Sequence, residues 1–134
     1  MKTDMIRSNF WLALISGLVL LNGCGSPEAR REKYIRGMIA GFEEQKKEVL
    51  EKTKGVFTDI QVYRDGEKDG VVFERQFAKG LEPVNEDLKA VLVESIRNDA
   101  DSRLAIQMGI YVKFIDKSHE GKVLREVTAS KDDL

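Results

Sequence analysis

GVFTDIQVYRDGEKDGVVFERQFAKG, residues 55–80, is the stretch whose reading decides the fold. Its two halves, Val56 to Arg64 and Val71 to Phe77, are rich in β-branched and aromatic residues. Such side chains suit a pleated, half-buried surface. Between them lies DGEKDG, residues 65–70, whose glycines and aspartates accept tight backbone turns. Two strand-like runs around such a turn predict a β-hairpin with a loop of about six residues. Leu81-Glu82-Pro83 then ends the second strand, since proline cannot donate to a ladder.

On the N-terminal side, Ile35, Met38, Ile39, Phe42, Val49 and Leu50 recur at steps of three and four, with Gln45 or Lys46 filling the one gap. Glu and Lys occupy the other positions, so the pattern predicts an amphipathic helix. Ser26-Pro27-Glu28 supplies its start: a serine cap, a proline at the first helical position and an acid in the first turn. Gly55 ends it.

On the C-terminal side a second helix is expected from Asn85, with Leu88, Val91, Leu92, Ser95 and Ile96 on one face. Asn98-Asp99-Ala100-Asp101-Ser102 interrupts it with residues that favour caps and turns. A short helix from about Ser102 to Met108 comes next, stopped by Gly109. IYVKFID, residues 110–116, alternates, with Ile110, Val112 and Phe114 on one face and Tyr111, Lys113 and Ile115 on the other. KSHEGK turns the chain, Val123 to Ala129 returns as the last strand, and the polar tail, residues 131–134, is expected to fray.

The elements give an α+β fold in the order αββαββ, a helix–hairpin–helix–hairpin. They predict one four-stranded antiparallel sheet with helices on one face and the other partly solvated. Tyr63-Arg64-Asp65 followed by Gly70 parallels Phe114-Ile115-Asp116 followed by Gly121, a hint of internal repetition. Asp-Gly turn chemistry is common enough that coincidence accounts for it equally well.

The chain's 134 residues make one domain at most. Lys and Arg number 22 against 23 Asp and Glu, so no strong field recommends a nucleic-acid partner. One cysteine cannot form an internal disulfide, and with one histidine it leaves too few nitrogen and sulfur ligands for a structural zinc site.

That cysteine lies in LVLLNGCGSPEARREKY, residues 18–34. Lys2 and Arg7 precede an apolar run, Phe10 to Leu21, that is shorter than the roughly 20 residues a spanning helix needs. A positive start, a short greasy run and small residues after it form the layout of a secretory signal peptide. Leu21-Asn22-Gly23-Cys24 resembles the lipobox of bacterial lipoprotein precursors, with Leu21, Gly23 and Cys24 at the matching positions. The resemblance implies that the Cys24 thiol receives a diacylglyceryl group and that the bond before Cys24 is cut. Residues 1–23 are then a cleaved signal peptide, 24–27 a lipidated N-terminus and short tether, and 28–130 a single α+β domain. Several acyl chains, such as palmitate, hold a protein firmly where one binds reversibly. Gly25 in place of aspartate resembles the pattern sent to the outer membrane, facing the periplasm, where a source has two membranes.

The remaining motifs are weaker. DGEKDG has the opening acids of an EF-hand loop, but Gln76 stands where a calcium-binding glutamate is needed, so a hairpin turn is the reading. Gly37 and Gly41, four apart on the first helix, offer either a partner groove or close approach to the domain's own sheet. Arg30, Arg31, Lys33 and Arg36, less Glu28 and Glu32, leave a local excess of positive charge just after the anchor. It suits anionic headgroups or a solvated helix face equally. His119 stands alone, Ser118 and His119 lack the geometry of a nucleophile and its base, and no pair of carboxylates separates itself. The strand around Tyr111 and Ile115 is greasy on both faces, which fits double coverage or a patch for a partner.

No catalytic residue, metal site or cofactor is therefore expected. NDADSRL, MGIYVKF and GKVLREVT, within residues 98–128, resemble the C-terminal helix and hairpin of small bacterial envelope proteins, a resemblance that brings no activity with it. The sequence reads as a lipid-anchored, non-enzymatic envelope protein: an assembly accessory, inhibitor or sensor component. Its partners are the membrane, through the lipid, and an envelope protein met at Gly37, Gly41, Tyr111 or Ile115. The alternative is a membrane-tethered binder of a small ligand or ion.

Overall fold

A computed structural model describes residues 26–83 and 87–134. Cys24, Leu21, Gly23 and the expected helix start at Asn85 lie outside the described residues.

The order is α1 (Pro27–Lys52), β1 (Phe57–Arg64), β2 (Gly70–Phe77), α2 (Leu88–Arg97), α3 (Ala100–Gln107), β3 (Tyr111–Lys117) and β4 (Val123–Ala129). Ser26 caps α1 as expected, its Oγ accepting from the Ala29 N–H at 3.2 Å. Two further caps divide the connection between β2 and β3 into separate helices. The Asp87 carboxylate accepts from Ala90 N–H at 3.1 Å to open α2, and Asp99 accepts from Ser102 N–H at 2.9 Å to open α3. Each satisfies a backbone donor that the first helical turn leaves unpaired.

The α+β class, the two hairpins and a single four-stranded sheet are as read from the sequence, but the sheet is mixed. Strands run in the order β1-β2-β3-β4, with antiparallel outer pairs and a parallel central pair in which Gly70 faces Tyr111 and Gln76 faces Lys117. The connection from Phe77 to Tyr111 explains the difference. Between them α2 and α3 carry the chain back to the end where β2 began, so that Tyr111 starts opposite Gly70. A strand reached through such a crossover lies parallel to its predecessor. The hairpins are therefore not copies stepped along the sheet, which would leave β2 and β3 antiparallel.

The alternating residues Ile60 and Val62, Val71, Phe73 and Phe77, and Val112 and Phe114 join one core with the helices. α1 contributes Tyr34, Ile35, Met38, Phe42 and Val49, while α2 and α3 add Leu92, Ile96 and Ile106. Phe73 stacks on Phe114 at 5.0 Å between centroids and meets Phe42 edge-on at 6.4 Å. Tyr34 ties α1 to α3 by donating its hydroxyl to the Asp101 carbonyl at 3.0 Å. In the tail, Lys131–Asp133 forms a 3-10 turn in which Asp133 accepts from Ser130 N–H and pairs with Lys89 of α2 at 3.1 Å.

Candidate functional site

The helices cover one face of the sheet, so the other is the surface a partner can reach. Strand alternation and register set its rows. One holds Tyr63, Val72, Lys113 and Thr128; the next holds Gln61, Glu74, Ile115 and Glu126; a third ends in Lys117 and Val123. Tyr63 is 38% exposed and Val123 49%, whereas Tyr111 and Ile115 are half-buried.

Polar groups on this face are paired across strands. Tyr111 lies over Gly70, where a Cβ would run into its ring, and its hydroxyl donates to Asp65 at 2.5 Å. Lys113 reaches Asp65 at 3.5 Å and Glu126 at 3.4 Å, and Tyr63 donates to Glu74 at 3.0 Å, which also pairs with Lys117 at 3.1 Å.

These contacts set the ionisation. Loss of solvent, then the bond to Asp65, pushes Tyr111 up to about 12, and loss of solvent with the bond to Glu74 does the same to Tyr63. The Tyr111 hydroxyl holds the Asp65 carboxyl below its usual value. Desolvation pulls Lys113 down, but the hydrogen bonds and charges of Glu126 and Asp65 outweigh it and leave the ammonium above its usual value. The tyrosines stay protonated, Asp65 ionised and Lys113 charged across the neutral range, so none of these groups is poised to exchange a proton. The arrangement suits recognition by shape and hydrogen bonding.

Other residues singled out from sequence fall elsewhere. Gly41 is buried on α1 together with Tyr34, Met38 and Phe42. Gly37, one turn earlier, is half-buried. Tyr111 and Ile115 share the open face, opposite the helix-covered face on which α1 and both glycines lie. The carboxylates of DGEKDG do not converge: Asp65 turns to Tyr111, while Asp69 binds Arg31 at 3.2 Å and Arg64 at 3.1 Å. Among the described residues no group of three or more His, Cys, Asp or Glu could hold a metal ion. His119 is exposed and builds its turn, its carbonyl accepting from Gln76 Nε2 at 2.8 Å. A depression of about 230 Å³ at the end of α1 is lined by Lys47, Leu50, Glu51 and Lys54, and the charged ends of three of these face solvent there.

Sequence reasoning did not find Tyr63, Glu74 and Lys117 as one group, because only the register brings them together.

No protein-family model matches the chain, and no curated protein does. Among solved structures, the type II secretion system pilotin AspS from Vibrio cholerae is similar to 81% of this chain over 100% of its own, at 14% identity and a TM-score of 0.42. At that level no role passes from one protein to the other.

Proposed function

We propose that the protein is a lipid-anchored component of the bacterial cell envelope whose domain binds a protein partner on the open face of its sheet and catalyses no reaction. The observation that carries the reading is the order of parts at the N-terminus. A positive start, a short apolar run and Leu21-Asn22-Gly23-Cys24 lead within two residues to the Ser26 cap of α1. Cys24 is the lipid handle, the signal peptide is removed before it, and the outer membrane is the destination in a source with two membranes. Among the described residues no helix is long and apolar enough to cross a membrane, so in this reading the lipid does the anchoring.

The open face supports the second half of the proposal. Its charges are matched within the sheet, which lowers the cost of covering them, while Tyr63, Ile115 and Val123 supply apolar and aromatic surface. A photo-crosslinking side chain placed at Tyr63 or Val123 in living cells should give one adduct of the same mass from both positions and none from Glu44 on α1. Adducts from Glu44 with none from the sheet contradict the assignment.

A further inference from the structure

The first three turns of α1 carry Arg30, Arg31, Lys33 and Arg36. Nearby acids do not neutralise them all. Glu28 reaches Arg31 at 3.9 Å, Glu32 is taken by Arg64, Asp69 by Arg31 and Arg64, and Asp65 by Tyr111 and Lys113. Arg31 is used inside the domain too, donating to the Met108 carbonyl at 3.2 Å. Arg30, Lys33 and Arg36 are exposed, and among the described residues none of them makes an ion pair.

We propose that Arg30, Lys33 and Arg36 dock the outer face of α1 onto anionic phospholipid headgroups, so that the open face of the sheet points away from the membrane. The proposal rests on the lipid-anchored reading, since the anchor at Cys24 brings this patch to the surface. At roughly 100° per residue, Lys33 and Arg36 lie on the side of α1 opposite Met38 and Phe42, with Ala29 and Ala40 between them and Arg30 at the flank. An upright helix would carry Arg36 about 15 Å beyond Ser26, outside the Debye length of about 8 Å. Only a helix inclined toward the surface brings all three cations within reach. Farther along, Glu43, Glu44, Glu48 and Glu51 offset Lys46, Lys47 and Lys52, with Glu48 paired to Lys52 at 2.9 Å, so the C-terminal half of α1 offers no matching excess of positive charge. With α1 toward the lipid, the face holding Tyr63 and Val123 meets the compartment where a protein partner would be.

The test reconstitutes the full, processed protein into phosphatidylcholine vesicles with or without phosphatidylglycerol, the lipids including a headgroup nitroxide quencher. A fluorophore is attached at Ala29→Cys or, as a control, at Gln61→Cys on the open face. Quenching at position 29 should be at least about threefold greater with phosphatidylglycerol, and raised salt should abolish the difference. The variant Arg30→Gln/Lys33→Gln/Arg36→Gln should also lose it, and because these side chains make no internal pairs the variant should fold normally. The Gln61→Cys probe should remain unquenched in both vesicles. Equal quenching at position 29 in both lipids, or greater quenching at position 61, overturns the orientation and leaves the anchor intact. An unmodified Cys24, read from the mass of the same sample, overturns both the anchor and the docking that depends on it.

Discussion

Arg75 of β2 faces Asp116 of β3 across the parallel pair, on the helix-covered side of the sheet, with both side chains fully buried. The guanidinium donates from Nε at 2.6 Å and from Nη2 at 2.8 Å to the two carboxylate oxygens, and Arg125 of β4 adds a third bond at 2.6 Å. Phe57 and Phe114 sandwich the Arg75 guanidinium at 5.1 and 4.9 Å. A row of charge thus crosses three strands inside an apolar core and marks their register.

Breaking this pair from one side leaves a buried cation without its carboxylate. Asp116→Ala should therefore lose about 3–5 kcal/mol in urea unfolding. Arg75→Met, Asp116→Leu and Arg125→Met together remove all three charges of the row and should recover most of that loss. A triple variant as unstable as Asp116→Ala would show that the charges themselves hold the fold.

Gly70 is required by the ring above it. Gly70→Ala should cost about 1–3 kcal/mol by displacing Tyr111 and its bond to Asp65. In a Tyr111→Ala background the same substitution should be nearly neutral, and a double-mutant cycle on thermal unfolding measures the coupling. Additive effects would place the strain elsewhere.

The Tyr111–Asp65 bond also shapes the response to pH at both ends. The folded state depresses Asp65, so the unfolded chain binds more protons through the carboxylate range and this stabilisation is lost as pH falls. Tyr111 is raised from 10.0 to about 12, so the folded state holds its proton longer and stability declines as pH rises through that window. Tyr111→Phe should flatten both limbs of a melting-temperature profile, leaving an alkaline decline from Tyr34 and Tyr63. A variant that tracks the parent on both limbs would contradict this account.

How much of this was legible depends on the range of each interaction. The stripe from Ile35 to Leu50, the Ser26 cap and the two strand–turn–strand runs are local, and each appears near its expected place. The parallel central pair was not legible, because alternation within IYVKFID fixes faces but not the end of the sheet at which the strand begins. The charged row was half legible. Val71, Phe73, Arg75 and Phe77 share a parity, as do Val112, Phe114 and Asp116, so each strand places a charge on its apolar face. Only the register shows that the two are opposite each other. The pairings across the open face depend on the same register, while the closing turn at Lys131–Asp133 depends on Lys89 and Arg97 approaching from α2.

The central claim is the anchor at Cys24, and intact mass spectrometry of the protein extracted from the membrane fraction of a bacterial host tests it most directly. The account predicts a chain beginning at Cys24 and carrying diacylglyceryl and acyl groups, both lost in Cys24→Ser. A membrane-bound chain that keeps residues 1–23 with an unmodified thiol would contradict it.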